Sequence, residues 1–315
     1  MNAETTSRDH TSERGVRPIV LGTRGSELAL VQARVVADAL RQTCGVLPET
    51  EIIRTGGDES HAPVDRSAGR KGLFTAELER ALIEQQIDFA VHSAKDLPSA
   101  IHPETKIAAT LSRGAVEDVL ITKAPVSIEQ LPKDGTVATG SIRRQRQLRW
   151  IRPDVEVVGL RGNVPTRLRK FTTSHWDAII LARAGLDRLG FSWPEFQFAG
   201  EKFFGRILPV DQFLPAGGQG IIAVQTRAND SGINETISLI DDSETHVCLR
   251  AEREFLRLLQ GDCDLPIGVL AIAVDGEIEL RAHFFGEAMT PKVVRSRGAS
   301  PERVAADVFS KLNGS

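Results

Sequence analysis

An α/β chain, two mainly parallel lobes followed by a small α+β C-terminal domain, is the fold class this sequence predicts. Three patterns predict it. Short apolar runs alternate with segments of helical period between residues 18 and 99, and the same alternation returns over residues 117–214. From about residue 242 the order changes to one long helix followed by consecutive strand-like runs. At 315 residues the chain is also longer than one ordinary core requires, which fits several domains.

Each element follows in order. In PIVLGTRGSELALVQARVVADAL a strand covers Pro18 to Gly22, and a helix starts at about Ser26 with Leu28, Val31, Val35 and Leu40 on one face. Ser26 suits an N-cap, and Glu27 suits the positive end of the helix dipole. EIIRT reads as the next strand, followed by a polar, glycine-rich loop, TGGDESHAPVDRSAGRKG. The helix LFTAELERALIEQ, the strand IDFAVHS and the loop AKDLPS complete the first unit. In the second, DVLIT, GTVATGS, VEVVGLRG and DAIILARAGLDRLG place short strands before helical stretches. The third has the helix ETHVCLRAEREFLRLLQG, the strand-like runs GVLAIAVDG, EIELRAHFF and VVRSRG, and the last helix PERVAADVFSKL. The predicted division is a disordered tail at 1–16, a first domain of 17–111 with 221–238, a second of 117–214 and a third of 242–315.

Bulk composition excludes several classes. The chain is 41% hydrophobic and 26% charged with a net charge of −3, so nothing drives it as a whole toward nucleic acid or an anionic membrane. No run approaches the roughly 18 apolar residues that a membrane helix needs. The three cysteines, Cys44, Cys248 and Cys263, form neither a disulfide framework nor a CxxC pair, and the polar start MNAETTSRDHTSERG has no signal-peptide run. The expected setting is the cytoplasm. No metal is expected, because His246 and Cys248 have no second pair at ligand spacing. LPAGGQG (214–220) lacks the Lys-Ser/Thr of a P-loop and reads as a hinge or a close backbone approach.

The positive charge is concentrated. Arg143, Arg144, Arg146, Arg149, Arg152, Arg161, Arg167, Arg169 and Lys170 fall between 141 and 170, against Asp154 and Glu156. SIRRQRQL reads as the first turns of a helix capped by Ser141, where cations oppose the dipole unless an anion is near. Arginine's fork matches carboxylate and phosphate, and the scarcity of aromatics, with 3 Trp and no Tyr, favours a small polycarboxylate over a nucleic acid. The strand in FAVHSAKDLPS ends by presenting Lys95 and Asp96, a lysine and a carboxylate at a sheet edge suited to catalysis. Cys263, between Asp262 and Asp264 in LLQGDCDLPIG, lacks the electropositive surroundings that activate a redox or protease thiol.

LGTRGSELALVQA, KGLFTAELE, AVHSAKDLPS, ATGSIRRQRQL, LRGNVPTRL, DAIILARAGLDRLG, LPAGGQG and LQGDCDLPIG stand in this order from about residue 17 to the C-terminus. Together they resemble the porphobilinogen deaminase family. The resemblance implies two periplasmic-binding-protein-like α/β lobes with the active cleft between them. It also implies a third domain carrying a dipyrromethane cofactor as a thioether on Cys263. The implied reaction joins four porphobilinogen molecules head to tail, with loss of ammonia, to give hydroxymethylbilane for tetrapyrrole synthesis. Asp96 matches the catalytic aspartate, which assists deamination and stabilises positive pyrrole nitrogens. Arg24, Ser26, Lys95, Arg143, Arg144, Arg161, Arg167 and Arg188 match positions that hold cofactor and substrate carboxylates or set the cleft's charge. Thr139 and Ser141 match cofactor-binding hydroxyls. Lys71 matches a lysine of a mobile loop over the site, and Phe74 a ring near the substrate; domain or loop movement is expected around Gly56–Gly72 and at the interdomain crossings. A monomer that hands its product transiently to uroporphyrinogen-III synthase is the implied assembly.

The chain departs from the family pattern in places. Gly140 replaces the first serine of a Thr-Ser-Ser turn, Pro165 a glycine, Asp262 a glycine, Asp264 a glutamine and Glu117 an arginine. Two other readings therefore stay open: a two-lobed binding protein for small anions, and an inactive paralogue.

Overall fold

The computed structural model describes residues 17–54, 75–260, 265–286 and 290–314. In the first lobe β1 (Val20–Thr23) leads into α1 (Glu27–Cys44). There follow β2 (Glu49–Ile52), α2 (Ala76–Ile83), β3 (Phe89–Ser93) and β4 (Thr105–Thr110). The chain then crosses into the second lobe through β5 (Asp118–Thr122), β6 (Thr136–Ala138), α3 (Ile142–Ile151), β7 (Glu156–Val158) and α4 (Val164–Thr173). β8 (Ala178–Ala182), α5 (Arg183–Arg188), β9 (Glu195–Phe198) and β10 (Glu201–Ile207) complete that lobe. It returns as β11 (Ile222–Arg227) and α6 (Ser231–Ser238) to finish the first.

The two sheets share a plan that sequence alone did not establish. Their orders are β2-β1-β3-β11-β4 and β7-β6-β8-β5-β10-β9. In each, three neighbouring strands are parallel, and the next is antiparallel: β11 beside β3, and β5 beside β8. That antiparallel strand is the first one after each crossing, so the chain enters a lobe through the middle of its sheet. β9 and β10 form an antiparallel pair that strand–helix alternation does not reveal. The third domain has α7 (Ser243–Leu258), an antiparallel sheet of β12 (Ile267–Val274), β13 (Glu277–Phe284) and β14 (Lys292–Gly298), and α8 (Pro301–Asn313).

Apolar residues fill both faces of the sheets, as expected for α/β layers. Phe171, Phe203, Ile179 and Leu181 lie on one side of the second sheet, and Leu148, Ile180 and Phe213 on the other. Phe255 of α7 and Val308 of α8 cover the third-domain sheet. Two expectations need correction. The buried stripe of α1 is Ala29, Gln32, Ala33, Val36 and Leu40, and Val35 faces solvent. Gln32 is drawn inward because its amide exchanges hydrogen bonds with the Ser93 hydroxyl at 2.9 and 3.1 Å, which rotates the helix away from the face that apolar spacing favours. β2 also begins two residues before EIIRT, where its backbone pairs with β1. The expected tail at 1–16 and the loop expected around Gly56–Gly72 lie outside the described residues.

Candidate active site

The site is built where strands end and helices begin. β3 stops at Ser93, and one 3-10 turn, Ala94–Asp96, carries Lys95 and Asp96 to the sheet edge, with Asp96 exposed. The turn is held from behind by the residue that follows LPAGGQG: Ala94 N–H donates to Ile221 O at 3.0 Å. A Cβ on Gly218 would come within 2.8 Å of the Lys95 backbone nitrogen, and Gly218 has φ +72°, so this close approach needs glycine.

Across the cleft, β6 ends at Thr139–Gly140–Ser141. Ser141 is the N-cap of α3, its Oγ accepting from Arg144 N–H at 3.5 Å, and buried Thr139 Oγ1 accepts from Ser141 N–H at 3.3 Å. Gly140 has a steric reason here, since a Cβ would meet Leu160 O at 2.4 Å. After β7, Asn163 caps α4 by accepting from Thr166 N–H at 2.9 Å, and Pro165 falls in the first turn, where no intrahelical donor is lost. Ser26 likewise caps α1, accepting from Ala29 N–H at 3.4 Å.

The arginines divide into two groups. Arg143 and Arg144 are buried and turn back onto Asp118 at the start of β5, with Nη2 to Oδ distances of 2.8 and 2.6 Å. The anion that this helix start called for is thus, for these two, supplied by the chain. Arg143 Nη1 also donates to Leu214 O at 2.6 Å, and Arg144 Nη1 to Ile180 O at 3.0 Å. Arg188 is half-buried, and its Nη2 donates to Gly220 O at 2.6 Å at the end of LPAGGQG. Arg167 and Arg161 stand at the rim, half-buried and exposed respectively, with Arg167 Nε on Gly162 O at 2.7 Å. Arg24 follows β1 and is half-buried.

Cations crowd this cleft. Burial, with the Arg144 and Arg167 charges, pulls the Lys95 ammonium down to about 8, against the opposing pull of Asp96 and Asp118. Burial and Arg144 likewise draw Arg167 down to about 10, with Asp96 opposing. Burial lowers Arg188 as well. Burial alone would raise the Asp118 carboxyl, but Arg143 and Arg144 outweigh it and hold it well below the ordinary range. His92, buried on β3, is pulled to about 4 by burial, with the Arg24 and Arg253 charges adding and a Gln225 hydrogen bond opposing. It is therefore neutral at pH 7.

Sequence reasoning missed Asp118, Arg113, Gln219 and Glu252. Glu252 of α7 is fully buried. It accepts from Arg113 Nη1 at 2.7 Å, from Gly218 N–H at 2.6 Å and from Ala271 N–H at 2.7 Å, joining both crossings to the third domain. The signal was present: Glu252 interrupts the stripe Cys248–Phe255, and Asp118 opens β5 directly before the apolar Val119–Ile121. Glu117 does not leave an open negative charge, because Arg183 Nη1 lies 3.2 Å from its carboxylate. Lys71, Phe74, Asp262, Cys263 and Asp264 lie outside the described residues. Among the described residues no cluster of ligands could hold a metal, and no helix is long and apolar enough to cross a membrane.

Donor chemistry fits a polycarboxylate. Arg144 Nε is buried without a hydrogen-bond partner among the described residues, and Lys95 and Arg167 have proton affinities that nearby anions would restore.

Comparison with known proteins bears on the same segments. The model of "Porphobilinogen deaminase, dipyromethane cofactor binding domain" matches residues 19–235, and that of "Porphobilinogen deaminase, C-terminal domain" matches residues 246–305. A porphobilinogen deaminase of Nitrobacter hamburgensis is 44% identical over 290 residues, covering 91% of this chain and 88% of the relative. One from Nitrobacter winogradskyi is 47% identical, covering 79% of this chain and 77% of the relative. One from Syntrophobacter fumaroxidans is 39% identical, covering 94% of each chain. Among solved structures, the methionine-binding protein MetQ is 10% identical, with a TM-score of 0.43 over 72% of this chain and 91% of that one. With family models matched over residues 19–235 and 246–305 and relatives 39–47% identical over most of their length, the chain belongs to the porphobilinogen deaminase family.

Proposed function

We propose that Asp96 is the residue with which this chain condenses four porphobilinogen molecules head to tail, releasing ammonia and giving hydroxymethylbilane. The observation that carries this assignment is the turn after β3. It presents an exposed carboxylate beside Lys95 and within the field of Arg167, in a cleft otherwise lined by cations. Each porphobilinogen brings an acetate and a propionate, so the cations have substrate carboxylates to bind and orient.

The Asp96 carboxylate would accept the pyrrole N–H and stabilise the positive charge that develops as the aminomethyl carbon loses ammonia. Once the new carbon–carbon bond forms, it would take up the proton released from the ring carbon. Lys95, Arg24, Arg161 and Arg167 would hold carboxylates at the rim. Arg143, Arg144 and Arg188, already bonded to the chain, would set the positive potential from within. Ser141 and Thr139 build the helix start against which the cofactor would lie. Dipyrromethane, when bound, supplies the terminal pyrrole carbon to which the first substrate is joined. Its anchor in this reading is Cys263, consumed once to make a thioether, so no standing thiolate is required. Lys71 and Phe74 belong to the same reading as groups over and beside the substrate. So do the four-part division at 1–16, 17–111 with 221–238, 117–214 and 242–315, a monomer in the cytoplasm, and transient hand-over to uroporphyrinogen-III synthase.

An anion-binding module would explain the arginines, but the family does not favour it. Asp96→Asn tests the assignment. Turnover of porphobilinogen should fall at least about 100-fold, the lower end of what a positioned acid–base group contributes, while substrate still binds. Turnover near the wild-type level would remove Asp96 from the chemistry.

A further inference from the structure

Asp118 is placed to do more than neutralise charge. It stands at the first crossing between the lobes, and its two oxygens are shared by three partners. Oδ2 accepts from Arg143 Nη2 at 2.8 Å, and Oδ1 accepts both from Arg144 Nη2 at 2.6 Å and from Gln219 Nε2 at 3.0 Å. Gln219 belongs to the second crossing, where the same side-chain amide donates to Val116 O at 2.7 Å and the Gln219 backbone carbonyl accepts from Arg113 Nε at 3.0 Å. One carboxylate oxygen therefore holds the hinge glutamine and the arginine whose charge reaches Lys95 and Arg167.

We infer that Asp118 is a positioning residue: it fixes the buried Arg144 charge behind the rim groups that would hold the substrate carboxylates, and ties that position to LPAGGQG through Gln219. The inference rests on the deaminase reading and assigns Asp118 no contact with substrate. Its physical basis is the planar guanidinium, which is oriented only when its fork is bonded on two sides. Arg144 has Asp118 on one side and Ile180 O on the other, leaving Nε without a partner among the described residues. Removing the carboxylate leaves two buried guanidiniums sharing no anion and frees Gln219 from α3.

The test measures kcat, KM for porphobilinogen and thermal midpoint on holoenzyme carrying Asp118→Asn or Gln219→Met. Gln219→Met removes the hinge bond without changing charge. Asp118→Asn should raise KM about tenfold, the worth of one hydrogen bond to a charged group, with a smaller loss of kcat. Gln219→Met should raise KM about threefold. A second readout separates positioning from mere stability. Lys95 is faced by Asp96, Arg144, Asp118 and Arg167, and the Asp118 charge supports its proton. The alkaline limb of kcat/KM should therefore move to lower pH in Asp118→Asn and stay in place in Gln219→Met. Unchanged KM in both variants, with only the thermal midpoint lowered, overturns the inference. If Asp118→Asn does not fold, an unchanged KM in Gln219→Met alone overturns it. Wild-type enzyme without turnover would instead overturn the deaminase reading.

Discussion

His92 shows how a single side chain senses burial at this site. It lies on β3, three residues before Lys95, and burial pulls its proton affinity from 6.5 to about 4. The sign follows from linkage: between those values the unfolded chain binds a proton that the folded chain refuses, so stability falls as pH drops from 6.5 toward 4. The loss approaches about 3 kcal/mol over that window. Urea unfolding from pH 7 to 4.5 should show it, and His92→Gln should flatten that part of the curve. An equally steep curve in the variant would show that other groups carry the effect. Gly140 teaches a related lesson. The sequence shows a lost hydroxyl, whereas the fold shows Leu160 O 2.4 Å from where its Cβ would stand. One chain cannot reveal such a contact, because Leu160 reaches Gly140 only when β7 pairs with β6.

At the scale of elements, the helix starts were readable and the junctions were not. Ser26 and Ser141 cap α1 and α3 as their side chains suggest, because capping is local. The pairing of β5 and β11 inside their sheets, and the burial of Asp118 and Glu252, depend on strands and helices distant in sequence. Glu252 on α7 is the clearest case. Its carboxylate joins Arg113, Gly218 and Ala271, so it holds the third domain to both crossings. Removing one partner of a buried pair leaves the other charge uncompensated, so Glu252→Gln should cost about 3–5 kcal/mol of stability. Chemical denaturation of both proteins measures this, and a change below about 1 kcal/mol would mean that the ion pair adds little beyond its hydrogen bonds.

For the whole molecule, strand–helix alternation and the order of the motifs made two lobes and a third domain legible. The relation between the lobes emerged only from the sheet orders, which share one plan with an antiparallel strand after each crossing. Both crossings are bonded to each other through Gly114 N–H and Gly220 O at 3.1 Å, and to the third domain through Glu252. These crossings also touch the site: Gly218 packs against the Lys95–Asp96 turn, and Arg188 holds Gly220. The site and the two crossings are thus one bonded assembly.

The central claim, a deaminase whose Cys263 carries its cofactor, is tested most directly by the intact mass of the purified protein. The account predicts an excess over the sequence mass equal to two linked pyrrole units, each bearing an acetate and a propionate, and its absence from Cys263→Ala. A protein of unmodified mass that still gains no adduct after incubation with porphobilinogen would contradict it.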